Sequence, residues 1–163
     1  MLLQTRPGTK ILEFVAEDTL TIRDDEQHIP LTFAMVALIC RGKVLLIFNS
    51  GRGQWELPGG RLEVDEQPLD CAIRELYEET GQSVNSLDYV ARMKFDFAPD
   101  NRINFGVLYT SRVDNLETFM PNEEASDIML WDMQTPYPEP DGEISRFTLA
   151  TAHRYNLLTL NPG

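Results

Sequence analysis

Cysteine, basic residues and long apolar runs are scarce in this sequence, and each shortage excludes a class of protein. The chain has two cysteines, Cys40 and Cys71, whose wide separation fits neither a disulfide framework nor paired zinc ligands. The longest apolar run, at residues 33–40, is far shorter than the ~18 residues of a membrane-spanning helix. Residues 1–10 are too polar for the apolar region of a secretory signal. We therefore expect a reduced, cytoplasmic protein that does not associate with membranes.

Cations are outnumbered by anions. The sequence has 14 lysine and arginine residues against 26 aspartate and glutamate residues, which gives a formal net charge of −12. Binding to a nucleic-acid polymer depends on clustered cations that neutralise phosphates, so we expect no such partner. An excess of carboxylates can serve solubility or bind divalent cations, and only the positions of the acidic residues decide between these roles.

The chain has the length and composition of one ordinary globular domain. Its 163 residues are 42% apolar and 25% charged. We expect a single domain over residues 1–163. Residues 11–15 and 19–22 are short strand candidates, so residues 1–25 are predicted to form a hairpin extension.

Apolar runs separated by turn signals predict a mixed sheet flanked by helices. The runs at 31–40 and 43–48 flank Arg41-Gly42, which indicates two antiparallel strands joined by a tight turn. The glycine-rich stretch 49–60 is predicted to be a loop. Further strands and a terminal helix are predicted at residues 87–97, 103–113, 128–131 and 143–158. This order favours an α/β fold, or α+β in stricter schemes.

The strongest helix signal covers residues 68–80, where Pro68 suits the first turn and Gly81 suits the position after the end. The apolar side of this helix, which we expect to face the core, consists of Leu69, Ala72, Ile73, Leu76 and Thr80. Another side holds Glu75, Glu78 and Glu79 within a sector of about 100°. Like charges at this spacing repel each other, and a hard divalent cation such as Mg²⁺ would relieve the repulsion.

The spacing around this helix matches a known motif. Gly60 is followed after five residues by Glu66, and after seven more by the run Arg74-Glu75-Leu76-Tyr77-Glu78-Glu79-Thr80-Gly81. The pattern over residues 60–81 resembles the Nudix box, which reads Gly-x5-Glu-x7-Arg-Glu-apolar-x-Glu-Glu-x-Gly-apolar. The last position is aliphatic in that family and is Gln82 here. This departure leaves every charged position of the motif intact.

The resemblance implies a fold, a cofactor and a reaction. The implied fold is an α/β/α sandwich with a mixed sheet, in which the box forms a loop–helix–loop that binds divalent metal. Mg²⁺ is the implied cofactor, and Mn²⁺ is an alternative. The implied reaction is metal-assisted attack of water on one phosphorus of a nucleoside diphosphate that is linked to another moiety.

The resemblance also implies roles for individual residues. The implied metal ligands are Glu75, Glu78 and Glu79, together with the backbone carbonyl of Gly60 or, as the alternative, of Gly59. Arg74 and Glu66 form the implied ion pair, which orients the helix against the preceding loop and takes no part in the chemistry. The helix glutamates Glu78 and Glu79 are also candidates for catalytic residues.

The general base is left open by the motif. Family members often carry one more glutamate ahead of the last predicted strand, where this chain has Glu123 and Glu124. We favour Glu124 as the catalytic residue, with Glu78 as the rival base. Arg52 and Arg102 are candidate contacts to substrate phosphates, because a polyphosphate needs cations even beside an acidic site.

Three functions follow from the resemblance. The leading one is a MutT-like hydrolase that cleaves a pyrophosphate bond in a nucleoside triphosphate, with oxidised purine nucleotides as one candidate substrate. The second is an ADP-ribose or nucleotide-sugar pyrophosphatase. The third is a noncatalytic nucleotide-binding module, which the intact set of glutamates disfavours. A monomer and a homodimer are both compatible with the sequence.

Overall fold

The computed structural model describes residues 1–160, so the last three residues of the predicted domain, 161–163, lie outside it. Within the described residues the chain forms one nine-stranded sheet and two α-helices. The strands are β1 (Leu3–Gln4), β2 (Lys10–Val15), β3 (Leu31–Cys40), β4 (Lys43–Asn49), β5 (Gln54–Glu56), β6 (Gly59–Arg61), β7 (Asp88–Phe97), β8 (Arg102–Val113) and β9 (Ala125–Trp131). The helices are α1 (Pro68–Thr80) and α2 (Glu143–Arg154). Neither helix is both long and apolar enough to cross a bilayer within this part of the chain.

The sheet is mixed. Its strand order is β1-β2-β7-β8-β3-β4-β5, with β6 paired to β3 and β9 paired to β4. The long central strands β3 and β8 run parallel, whereas their other neighbours pair antiparallel. The order brings β3, the short strand β6, which pairs with the first half of β3, and β9 into contact with α1.

The two faces of the sheet bury different sides of β3, because successive side chains of a strand point in opposite directions. Ala34, Val36 and Leu38 pack with α1, and the alternate residues Met35, Ala37 and Ile39 pack in the cluster that contains α2. One helix therefore lies on each face. This arrangement confirms the predicted mixed-sheet α/β/α sandwich, which is α+β in the stricter scheme.

The structure confirms the predicted helix at 68–80 in full. Gly81 follows it in the left-handed conformation, with φ = 76°, and its N–H bonds to the Tyr77 carbonyl. The turn between β3 and β4 is also as predicted, since Arg41 and Gly42 both have positive φ.

Three local predictions were wrong. The prediction of a strand at 19–22 failed because β2 already has neighbours on both edges, β1 and β7. The predicted loop at 49–60 contains β5 and β6, three-residue strands too short to leave an alternating pattern. The terminal helix ends at Arg154 and not at 158. Asn156 is left-handed there, and the Leu157 N–H closes the helix end onto the Ala152 carbonyl.

Candidate metal centre and substrate cleft

Three carboxylates meet beside the N-terminal part of β6. Glu75 and Glu79 lie one turn apart on α1, and Glu124 is the residue just before β9. Each offers an oxygen, and these oxygens lie within 4.8 Å of one another. Glu75 and Glu79 are buried and Glu124 is exposed. The fold therefore gathers two predicted metal ligands and the favoured catalytic residue into one cluster.

Glu79 is the most buried member, with 2% of the residue exposed. The Gly59 N–H donates to its Oε1 at 2.8 Å and holds the carboxyl in place. Burial raises the pKa of Glu79 to about 8, and repulsion from Glu75 and Glu124 adds to this, against the Gly59 hydrogen bond. Without a cation, Glu79 therefore carries a proton over much of the neutral pH range.

The two glycines before Arg61 allow close approaches that no side chain would permit. A Cβ on Gly59 would lie 2.2 Å from the Ala34 carbonyl oxygen of β3, and a Cβ on Gly60 would lie 2.4 Å from Glu75 Oε1. The Gly60 carbonyl accepts the buried Cys71 thiol at 3.5 Å. Its predicted role as a metal ligand remains a prediction.

Arg74 organises the acidic side of α1. Its Nε and Nη2 donate to the two oxygens of Glu66 at 2.7 and 2.8 Å, and its Nη1 donates to Glu75 at 2.9 Å and Glu78 at 3.1 Å. The hydrogen bond from Arg74 lowers the pKa of Glu66 to about 2. The structure thus contains the expected Arg74–Glu66 contact. It places the half-exposed Glu78 against Arg74 and outside the carboxylate cluster, so the metal and base roles of Glu78 remain predictions.

Asn122, which was not among the predicted site residues, holds Glu124 together with the Ser50 N–H, which donates to the Glu124 carbonyl at 2.9 Å. The Asn122 Oδ1 accepts the N–H groups of Glu124 at 3.1 Å and Ala125 at 2.9 Å, and its Nδ2 donates to the Glu79 carbonyl at 3.0 Å. A Pro-Asn pair in a loop is a turn signal that could have indicated this role. The neighbouring Glu123 is exposed and lies outside the cluster.

A cleft of about 580 Å³ adjoins the cluster at Gly59 and Gly60. Its walls come from the N-terminal turn, from strands of the sheet and from the start of α2; they include Thr5, Pro7, Phe33, Phe97, Asn104 and Ile144. The Phe33 and Phe97 rings lie edge to face with centroids 5.7 Å apart. Asn104 is 8% exposed, and its side chain has no hydrogen-bond partner within residues 1–160. An amide that lines a cleft and has no partner among the described residues can bond to the polar edge of a ligand.

The arginine side chains that line the cleft differ in how far ion pairs with other residues already occupy them. Arg52 is held by Glu56 through bonds of 2.7 and 2.8 Å, and the exposed Arg102 lies 3.8 Å from Asp100. Both predicted substrate contacts line the cleft. Arg61 also lines it, directly after Gly60, and forms no ion pair with any described residue. Arg61 was not among the predicted substrate contacts, although its place next to the first box glycine is a signal that could have indicated it.

Comparison of the sequence with known protein families agrees with this geometry. Residues 30–149 match the model of the NUDIX domain. An RNA pyrophosphohydrolase of Bartonella henselae is 34% identical over 99 residues, which are 58% of this chain and 53% of that protein. The phosphatase NudJ of Escherichia coli is 32% identical over 92 residues, 55% of this chain and 60% of that protein. The chain thus spans little more than half the length of these relatives.

The fold has close counterparts among solved structures. The Bacillus subtilis pyrophosphohydrolase BsRppH superposes with a TM-score of 0.68 at 19% identity, over 96% of this chain and 98% of that one. An identity this low shows a shared fold and says nothing of a shared substrate.

Proposed function

The chain belongs to the NUDIX domain family, and from that premise we propose that it is a divalent-metal-dependent hydrolase of a pyrophosphate bond in a small nucleotide. A nucleoside triphosphate is the leading substrate class. The observation that carries this proposal is the convergence of Glu75, Glu79 and Glu124 within 4.8 Å at the edge of the 580 Å³ cleft.

The donor set suits a hard divalent cation. All three groups offer oxygen ligands, which Mg²⁺ and Mn²⁺ accept, and the buried pair Glu75 and Glu79 needs a compensating positive charge when ionised. When bound, the cation supplies a Lewis acid for the phosphoryl oxygens and lowers the pKa of a bound water. We assign Glu75, Glu79 and Glu124 to hold it.

Glu124 also has the position expected of the base. It is the exposed member of the cluster, so solvent and substrate can reach its carboxylate, whereas Glu79 is enclosed and fixed by the Gly59 N–H. In this proposal a Glu124 oxygen accepts the proton of the attacking water. Arg61 supplies positive charge for the phosphates that this acidic site would otherwise repel.

The part of the cleft that lies away from the carboxylate cluster fits the nucleobase of a nucleotide. Phe33 and Phe97 offer ring surface to a planar heterocycle, and the unpartnered Asn104 amide can both donate to and accept from its polar edge. A nucleotide would then extend from this aromatic part of the cleft to the carboxylate cluster.

A product assay over a substrate panel tests the proposal. The panel contains nucleoside triphosphates, an oxidised purine triphosphate, ADP-ribose, a nucleotide sugar and an RNA with a 5′-triphosphate, each with Mg²⁺ or Mn²⁺. We expect a monophosphate and pyrophosphate from a triphosphate. The RNA is expected to react poorly because the net charge of −12 opposes a polyanion. Turnover of ADP-ribose or the sugar alone would replace the leading substrate class, and binding without turnover would support a noncatalytic module.

Metal binding should depend on pH through Glu79. Because burial raises the pKa of Glu79 to about 8, a cation must displace a proton below that pH. We expect the Mn²⁺ affinity of the substrate-free protein to rise with pH by up to roughly tenfold per unit between pH 6 and 8, and to level off above. Calorimetry in buffers of different ionisation enthalpy measures the released proton. A flat profile would contradict the assignment of Glu79.

Replacing Arg61 should weaken substrate binding more than the chemical step. A hydrogen bond to a charged group contributes about 1.5–3 kcal/mol, so Arg61→Ala is expected to raise KM by at least about tenfold, with a smaller change in kcat. Arg154→Ala, at the end of α2, is the control because Arg154 packs on Tyr155 and does not line the cleft. Equal KM values for the two variants would remove Arg61 from the substrate site.

A further inference from the structure

Gln82 occupies the one box position at which this chain departs from the family pattern. The residue is 3% exposed, so its amide needs protein partners. Its Oε1 accepts the Glu117 N–H at 2.7 Å, and its Nε2 donates to the Glu117 carbonyl at 3.0 Å and to the Thr80 carbonyl at 3.0 Å. The side chain therefore holds one peptide unit on each side of Glu117 in the way a neighbouring strand would.

Glu117 lies in the middle of the connection 114–124, which joins β8 to β9 and ends at Glu124. This connection has no helix or strand of its own. Leu116 packs in the core cluster that contains α1, and three further contacts hold the connection at the C-terminal end of that helix. The first is the Gln82–Glu117 pair. The second is Thr118, whose carbonyl lies so near Gly81 that a Cβ there would be 3.0 Å away. The third is the Asn122 bond to the Glu79 carbonyl.

We propose that Gln82 is a positioning residue that delivers Glu124 to the carboxylate cluster by fixing the connection 114–124 onto α1. The path runs from the Gln82 amide to Glu117, along the chain to Asn122, and through the Asn122 Oδ1 to the Glu124 N–H. An aliphatic residue at position 82 would fill the same space but make neither bond to Glu117. This inference rests on the proposed role of Glu124 in holding the metal.

The inference is tested by replacing Gln82 with an apolar residue, as the family pattern has at this position. Gln82→Leu and the unbranched Gln82→Met both keep an apolar volume in the pocket and remove the amide. We expect either variant to weaken Mn²⁺ binding by the substrate-free protein about fivefold to tenfold by electron paramagnetic resonance, which is the size of a lost cooperative contact. Catalysis should recover substantially at saturating metal. The Mg²⁺ concentration that gives half-maximal activity should therefore rise by a larger factor than kcat falls.

Hydrogen exchange of the wild-type protein keeps the inference testable even if both variants fold poorly. The Glu117 N–H is expected to exchange slowly, although Glu117 itself is exposed, because it donates to Gln82. In the variants, exchange should rise over 114–124 and stay unchanged in β3 and β8. Rapid exchange of the Glu117 N–H in the wild-type protein would overturn the proposal.

A double-mutant cycle separates this inference from the proposed function. Glu124→Gln should weaken Mn²⁺ binding, and Gln82→Leu added to it should weaken binding little further, because both act on the same ligand. Glu123→Gln is the matched control. If Glu124→Gln binds Mn²⁺ like the wild type, the proposed metal role of Glu124 fails. If Glu124→Gln weakens binding while Gln82→Leu does not, or if the two losses are additive, the positioning role of Gln82 fails and the metal site stands.

Discussion

Replacing Glu79 with Gln is expected to lower kcat by ~10³-fold or more while leaving the protein folded. Gln keeps an oxygen that can accept the Gly59 N–H at 2.8 Å, so the side chain can stay where Glu79 lies. The substitution removes the negative charge of one of the three clustered carboxylates that we assign to the cation. The loss should appear in kcat and in Mn²⁺ affinity together.

The stability of this variant gives a second and independent readout. Burial raises the pKa of Glu79 to about 8, above the value of about 4.3 in an unfolded chain. The folded wild-type protein therefore binds more protons than the unfolded chain between these values, and it loses stability as pH rises through them. The Glu79→Gln variant has no titrating group at this position, so its stability does not fall with pH for this reason. Without metal, we expect its free energy of unfolding to exceed that of the wild type at pH 8–9.

The control for this prediction lies on the same helix. Asp70→Asn removes a carboxylate from the exposed first turn of α1, away from the cluster, and should retain most of the activity. Near-wild-type turnover by Glu79→Gln with Mg²⁺ would refute the assignment of Glu79 to the metal. An unfolded Glu79→Gln protein would instead show that the carboxyl serves the fold.

The features that could be predicted from the sequence are those fixed by neighbours in the chain. Helix α1 has its start signal in Pro68, its stop signal in Gly81 and its acidic side in the spacing of Glu75 and Glu79, all within one segment. The turn at Arg41-Gly42 is equally local. Such signals need no knowledge of the tertiary structure.

The features that escaped prediction depend on strand register and on contacts between distant segments. Arg61 and Asn104 are ordinary residues in the sequence, and only the pairing of β6 and β8 with β3 brings them to one cleft. Glu124 was favoured by resemblance alone. Its approach to α1 depends on Asn122 and Gln82, whose amides bond to backbone groups far away in the sequence.

Replacing Gly60 with Ala is expected to lower kcat/KM by about 10²-fold, because a displacement of about 1 Å in a catalytic group has an effect of this size. The added Cβ would lie 2.4 Å from the Cδ and Oε1 of Glu75 and 2.7 Å from its Oε2. The obstacle is the end of a flexible side chain, so the backbone can stay in place while the Glu75 carboxylate moves away. That movement also breaks the 2.9 Å bond from Arg74.

Gly51→Ala is the matched control for this substitution. Its Cβ would meet Asn49 Oδ1 at 3.5 Å, an ordinary contact, and Gly51 itself neither lines the cleft nor belongs to the carboxylate cluster. Activity and Mn²⁺ affinity of both alanine variants would be measured together with their thermal unfolding. We expect Gly60→Ala to lose metal affinity while its unfolding curve stays cooperative. If it binds Mn²⁺ and turns over substrate like Gly51→Ala, the position of Glu75 is not required at this site, and the metal must be held by Glu79 and Glu124 without it.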